Sequence, residues 1–392
     1  MQLPGVQPGR LGVCGGMLIA LASSHAAALT PATLVGIALE PRRITIQSIR
    51  SDRLTFFDAQ RELRSQPLDQ FLQIRDLPGA QASVQHSAAS VLELTDGQRL
   101  VGRWAGEADD GQTLIWRHEQ LGIVRVEIER VAAVALGVAL PPRQATVNDI
   151  VWLANGDQLA GFVDAVGKDF LAIQPADDDS GKTVKLPLDR VRALRLAKPA
   201  KQLVKPMHWV WLADGSRIRV DQLVLARNEL TLRAAETRIA VGIPLKRVSR
   251  IDFRCPLGSI VDLTSLDMTV DAGGQVLGLP TPPRIDGEHL RLQAPVTVTF
   301  VLPDGVARFA VAAKLDFHDD DARARAWADM DLIVRADRHI VGRFHFNADQ
   351  PEAAINLPIK AHSLTLELDT ADNGPIMDQL RLSLPVLFVE NR

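Results

Sequence analysis

Apolar and polar residues alternate with a period of two along most of this chain, and turn residues interrupt the alternation at short intervals. Val151–Val163 (VWLANGDQLAGFV) shows the pattern: one alternating run, Asn155-Gly156, then a second alternating run. The frame returns as VLELTDGQRLVGRW at Val91–Trp104 and as VWLADGSRIRV at Val210–Val220. Each copy predicts two antiparallel strands joined by a tight hairpin, because the central turn positions need φ > 0 and Gly, Asn and Asp accept it at least cost. Gly97, Gly156 and Gly215 recur about every 60 residues, the length of one small supersecondary unit and its linker.

A closing segment keeps the same period. Leu186–Val191 (LPLDRV) matches Ile243–Val248 (IPLKRV), and Glu127–Val131 (EIERV) is the proline-free counterpart. Pro67–Phe71 (PLDQF) holds the same place in a first unit that lacks the Gly turn. Proline removes a ladder donor, so it predicts a strand start or edge. The alternation around it predicts a closing strand with one buried and one wet face. Short strands in close succession without a helical period predict a small, strongly bent sheet or barrel. Four such units are expected, at 29–76 (degenerate), 88–140, 146–198 and 205–254. Their order of strands and turns resembles SH3-like and Sm-like barrels. The RNA binding of Sm proteins is not carried over, since no basic-aromatic patch is expected to accompany the turns.

From 257 to 392 the period near 60 stops and longer alternating strands appear, among them HLRLQAPVTVTFVL and SLTLELDT. They predict an antiparallel β-sandwich or jelly roll. Arg308-Phe309, Lys314–Asp316, Ala328–Asp337 (ADMDLIVRAD), Ala361–Asp369 (AHSLTLELD) and Asp378 together resemble the NPCBM family of carbohydrate-binding modules. These are galactose-binding-like β-sandwiches of exported bacterial proteins, often appended to glycosidases. The chain departs from the family at Lys314, where a Gly is usual, and at Asp378–Arg381, where the family ends Asp-x-Ala-Trp. The resemblance implies the sandwich and, as an expectation, a sugar ligand. The expected fold is all-β: tandem small SH3-like or Sm-like β-barrel repeats followed by a galactose-binding-like β-sandwich.

Composition narrows the partners. The apolar share of 46% and charged share of 23% are ordinary for a globular protein. A net charge of -3 argues against a general nucleic-acid binder. Arg10, the apolar run Leu11–Ala22 and the small residues Ser23–Ala28 predict a signal peptide over 1–28, hence export to the periplasm or beyond. No later run is long enough for a membrane helix. Cys255 then stands alone, which excludes an intrachain disulfide and suits a buried small hydrophobe.

Candidate chemistry is sparse. Trp152 and Trp211 occupy one position in successive units, and Trp104 follows another hairpin. Their flat faces and N–H donors suit sugar recognition, and their repetition suits packing equally. Trp327 is expected in the sandwich core. His318, Asp319, Asp320 and Asp321 lie together in Phe317–Arg323 (FHDDDAR), either a solvated loop tip or a structural Ca²⁺ site; no other cofactor is expected. His339 and His345 suggest a strand pair folded around Gly342. Nucleophile-elbow, zincin and P-loop motifs are missing, so catalysis is not expected. The sequence reads as a non-catalytic exported binding protein for a carbohydrate or another envelope or extracellular polymer. The alternatives are an envelope scaffold that docks proteins and an accessory part of a glycoside hydrolase system.

Overall fold

The three glycine turns adopt the backbone their sequence demands, with φ of 84° at Gly97, 94° at Gly156 and 87° at Gly215. They belong to a computed structural model that describes residues 29–50, 52–79, 90–107, 112–137, 140, 147–177, 181–197, 208–233, 240–272, 274–276, 279–286, 289–316, 327–371 and 378–391. The predicted signal peptide and the FHDDDAR loop lie outside these residues.

Four units share one strand order. In unit 2 the first strand, Ser90–Leu94, pairs with both the second, Arg99–Glu107, and the fifth, Val131–Ala135. Thr113–His118 and Gly122–Glu127 follow beyond the second strand. The order across the sheet is therefore five, one, two, three, four. Unit 1 runs from Thr30–Gly36 to Phe71–Arg75, unit 3 from Asp149–Leu153 to Val191–Arg195, and unit 4 from His208–Leu212 to Val248–Asp252; each repeats the central pairing.

The closing segment differs from the expected single strand. Leu68–Gln70, Ile128–Arg130, Leu188–Arg190 and Leu245–Arg247 each form one 3₁₀ turn that separates the fourth strand from the fifth. The residue before the turn is fixed near φ −60° (−57° at Pro187 and Pro244), and the fifth strand's first N–H closes back on the turn. The first turn residue donates its N–H to the loop before the third strand in every unit: Leu68 to Asp52, Ile128 to Gln112, Leu188 to Asp169 and Leu245 to Asn228. The alternating pattern disguises this turn because its leading apolar residue is buried or packs against the core.

A second glycine sits five residues after the turn glycine in units 2 and 3. Gly102 and Gly161 lie within second strands of nine residues that bend without a break. A β-carbon at Gly161 would collide with the Gln174 carbonyl on the neighbouring strand, and one at Gly102 would come within 2.6 Å of Trp116 Nε1. Unit 4 has Val220 at this position, and there the strand divides into Arg217–Val220 and Gln222–Ala226. At these two positions glycine permits the close approach of the neighbouring strand, whereas unit 1 has Ile44 at the equivalent place in an unbroken strand, Pro41–Arg50.

The units join edge to edge rather than hanging as separate beads. The fifth strands of units 2 and 3 pair antiparallel about Val134↔Leu194, and those of units 1 and 4 about Ile74↔Ile251. These four residues hold equivalent places, so each junction has local two-fold character. Leu136 donates to Arg192 and Leu196 to Ala132, at the two ends of the first junction. Units 2 and 4 meet through their second strands at Arg99↔Arg217, again equivalent positions. The spatial order is three, two, four, one. One hydrophobic cluster runs through all four, from Leu34 and Ile74 to Trp116, Leu194 and Ile251.

The remaining strands form a two-sheet sandwich. A six-stranded sheet includes Val306–Leu315, Glu352–Pro358 and Gln379–Glu390; the facing five-stranded sheet includes Val296–Val301, Asp329–Ala336 and Ser363–Thr370. Phe300, Phe309, Phe346 and Leu366 are fully buried between them. The described residues are thus all-β. Unit 1 abuts the sandwich through Val35, Leu39 and Leu72 against Ala310, Val386 and Phe388, with Cys255 buried in the same seam. Its thiol donates to the Asp69 carbonyl at 3.3 Å, as a small core residue would.

Candidate functional site

The inter-unit pairing brings one row of residues together across seven strands. Read through successive pairings, it runs Trp211, Arg217, Arg99, Glu93, Ala133, Arg195, Ile150. Directly paired residues in a sheet share a face and stand about 5 Å apart. Three arginines from three units are therefore gathered on one face, although Arg99 stands 96 positions before Arg195 and 118 before Arg217 in sequence. Between Glu93 and Arg195 stands only Ala133, and the guanidinium reaches past it to within 3.5 Å of the Glu93 carboxylate. Both charged groups are buried, 7% and 5% exposed, whereas Arg99 is exposed.

These residues enclose a cavity of about 260 Å³, lined by Glu93, Arg99, Arg195, Trp211 and Arg217, with Leu140 and the turn glycines Gly97 and Gly215 completing it. This corrects the expectation that no basic-aromatic patch accompanies the turns. Arg99 and Arg217 each follow a turn glycine by two residues, but only the pairing of units 2 and 4 sets them side by side.

Trp211 holds the cluster in shape. Arg250, from the fifth strand on one side, stacks 4.0 Å from its ring centroid, and Arg217, from the second strand on the other, lies at 4.9 Å. Arg217 also lies 4.0 Å from the Trp209 ring. The Trp211 N–H donates to Asp252 at 2.9 Å. Asp252 and Asp262 accept from Arg250 and neutralise it. The ring faces and donor proposed for sugar contact are thus engaged within the protein.

The other predicted tryptophans lie elsewhere. Trp104 donates to the Gly167 carbonyl at 3.1 Å and packs against the shared core, which makes it a clamp between units 2 and 3. Trp152 holds the place of Trp211 in unit 3, but its neighbours across the strands are Ala193 and Gln158, where unit 4 has Arg250 and Arg217. Neither of these two neighbours is a cation. Trp327, expected in the core, is 65% exposed. It precedes the strand that starts at Asp329, so strand alternation does not govern its direction. His318, Asp319, Asp320 and Asp321 lie outside the described residues, and among the described residues no three His, Cys, Asp or Glu side chains are placed to hold a metal ion.

One constellation mimics a nucleophile relay. His118 Nε2 is 2.9 Å from Ser216 Oγ and 3.5 Å from Asp214 Oδ2, and the histidine and serine are 1% and 0% exposed. Its Nδ1 accepts the backbone N–H groups of Gln120 and Leu121 at 3.0 and 3.1 Å. That occupies the Nδ1 lone pair and puts the ring proton on Nε2, facing the serine. Ser216 Oγ also accepts the Val101 N–H at 2.9 Å. The hydroxyl receives hydrogen bonds and meets no base. The cluster is a lock between units 2 and 4, and burial holds His118 below the ordinary histidine range despite the opposing pull of Asp214.

In the sandwich, His339 and His345 lie on one strand, His339–Asn347, and the hairpin expected around Gly342 is instead made by Asp337-Arg338 with φ of 46° and 74°. His345 bridges Asp331 at 2.9 Å and Asp329 at 3.2 Å. Asp378 accepts the Asp329 N–H, and burial pushes its pKa up to about 6.

No family model and no curated protein matches the chain. Among solved structures, the CBM51 module of Clostridium perfringens GH95 in complex with methyl-galactose aligns at 15% identity and TM-score 0.25, over 33% of this chain and 99% of that one. The CBM51-2 and INT domains of Clostridium perfringens ZmpB in complex with GlcNAc align at 10% identity and TM-score 0.27, over 43% of this chain. That alignment takes in 38% of the ZmpB chain. The tandem CBM51 modules of the family 98 glycoside hydrolase Sp3GH98 from Streptococcus pneumoniae align at 10% identity and TM-score 0.24, over 91% and 88% of the two chains.

Proposed function

We propose that the chain is a non-catalytic binding protein that holds an extracellular or envelope polymer, a carbohydrate by class, in the cleft between units 2, 3 and 4. The observation that carries this reading is the cavity of about 260 Å³ in which polar side chains from three units converge. A concave site built where separate elements meet, with a few placed polar groups, is the usual form of a ligand site. The predicted export signal fits a polymer outside the cytoplasm. The locked tautomer of His118 supports binding over catalysis, since the buried serine beside it has no base.

A second reading rests on Trp327, whose exposed indole offers the sandwich a flat apolar face for a neutral sugar ring. Affinity electrophoresis through gels cast with a panel of neutral and acidic polysaccharides separates the two. Retardation by at least one polysaccharide, lost in Trp211→Ala and kept in Trp327→Ala, is the expected result, with circular dichroism confirming that both variants fold. The opposite pattern moves the site to the sandwich. Retention by none of the panel contradicts polysaccharide binding and leaves the scaffold alternative, for which a protein partner is sought instead.

A further inference from the structure

We infer that unit 3 docks a second copy of this chain through the turn and second strand of its first hairpin, forming a two-fold dimer in which Gln158 faces Gln158 of the partner subunit. This stands apart from polymer binding and does not depend on it. The same edge is covered in each of the other three units. The second strands of units 2 and 4 cover one another about Arg99↔Arg217. Trp209 lies 3.8 Å from the place of a β-carbon at Gly97, and Val101 lies 3.8 Å from one at Gly215. In unit 1 the sandwich takes this role. Leu39 stands in the place of the turn glycine, with φ of 58°, and packs with Ala310, Val386 and Phe388. Asn356 of the sandwich donates to the Ala38 carbonyl in that turn at 2.8 Å. In unit 3, by contrast, residues 154–158 are all exposed, and no described atom lies within 4 Å of the place of a β-carbon at Gly156.

The junction between units 2 and 4 shows that this edge is complementary to its own equivalent. Two hydrogen bonds flank the Arg99↔Arg217 pair, and the local two-fold relates them. The Val101 N–H donates to Ser216 Oγ at 2.9 Å. The Arg219 N–H, at the place of Val101, donates to the Gln98 side chain, at the place of Ser216, at 3.1 Å. A surface that meets its own equivalent about a two-fold closes as a dimer. Unit 3 keeps the parts: Asp157 puts a side-chain acceptor at the place of Gln98 and Ser216, and Ala160 stands at the place of Val101 and Arg219. In the dimer each Ala160 N–H donates to the partner's Asp157, and the two Gln158 amides, which both donate and accept, meet on the axis.

The chemistry of the face favours a second unit 3 over other occupants. Ile150, Trp152, Gln158, Ala160 and Phe162 share the outward face of the hairpin, none is charged, and Phe162 is 65% exposed. A sheet edge without charges and with an exposed aromatic beside it is a template for pairing with another strand. Across the junction of units 2 and 4, Arg219 pairs with Asp96 at 3.2 Å. Unit 3 has Ala160 and Asn155 at those places, so self-association there brings no unmatched ion into the contact. The sandwich surface that covers such an edge is already taken by unit 1. A second unit 3 is the remaining surface on this chain that matches.

The test is sedimentation velocity of the full chain over a concentration series, in which a reversible monomer–dimer equilibrium is expected. Gln158→Glu sets two carboxylates against each other on the axis, and Gln158→Lys sets two ammonium groups there. Each variant alone is expected to raise the dimer Kd about tenfold or more. An equimolar mixture of the two is expected to restore a dimer, because a two-fold axis opposes position 158 to itself and pairs unlike charges. Gln158 is exposed, so both variants keep the fold, which an unchanged circular dichroism spectrum checks. A chain that stays monomeric at every concentration overturns the proposal. A dimer indifferent to both variants places the interface elsewhere and overturns it as well. Weakening by each variant without rescue in the mixture, or growth into species larger than a dimer, means that unit 3 meets a different surface and overturns the two-fold pairing.

Discussion

Gly161→Val is expected to lower the urea midpoint of unfolding sharply, by about 3 kcal/mol or more in stability. The first β-carbon alone would collide with the Gln174 carbonyl oxygen and come within 3.0 Å of its carbonyl carbon, and both are backbone atoms. Backbone cannot rotate away as a side chain tip does, so the second and third strands must separate. Their pairing from Gly161↔Pro175 to Val166↔Leu171 carries Val163, Val166, Leu171 and Ile173 into the core. Unit 4 has Val220 at this position and its strand divides after it. Unit 3 is not built for that division, because Gly161–Val166 pairs along one continuous strand. Gly102→Val is expected to behave alike in unit 2, where Trp116 Nε1 and the Arg117 carbonyl occupy the space. A midpoint within experimental error of the parent would show that the crossing is looser than described.

His118→Ala is expected to cost about 2–4 kcal/mol, because a buried hub with four partners disappears. The Gln120 and Leu121 N–H groups lose their acceptor, and Ser216 and Asp214 lose their donor. Acid reproduces part of this effect. Burial holds the His118 pKa below its unfolded value, and burial followed by the Arg254 charge pushes His208 down to about 4. A histidine whose folded pKa is depressed contributes its full stability above the unfolded pKa, near 6.5. That contribution is lost as pH falls from there through the folded value. Melting temperature should therefore fall between pH 6.5 and about 4, and the fall should be shallower in His118→Ala than in the parent. An identical pH profile for the two proteins would remove His118 from the acid response.

The sequence exposes the local features and hides the distant ones. Asp96-Gly97, Asn155-Gly156 and Asp214-Gly215 declare their turns because the backbone conformation depends on the turn residues themselves. The strands around them are legible for the same reason, and the sandwich is legible from its longer alternating runs. The 3₁₀ turn is hidden in EIERV and PLDRV, since its apolar lead residue falls where a strand would also place one. The cavity was illegible for a deeper reason. Arg99 and Arg217 are ordinary polar residues after ordinary turns, and only a junction between units 2 and 4 makes them neighbours. Arg195 joins them through another junction, across Ala133, whose small side chain reads in sequence as unremarkable core. Trp211 was singled out by its repetition, but its ring turns out to serve the arginines.

The central claim is that the four units form one continuous sheet, since the cavity exists only where they join. Native-state hydrogen exchange tests it at amides that bond from one unit to the next: Leu136 to Arg192, Leu196 to Ala132, Leu77 to Ser249, Phe253 to Leu72 and, between units 2 and 4, Val101 to Ser216 Oγ and Arg219 to the Gln98 side chain. Exchange at these sites is expected to be as slow as at core amides within a unit, such as Val151 and Val210. Exchange at loop-like rates, with protection retained inside each unit, would mean that the repeats are independent spacers and that the arginine cavity does not form.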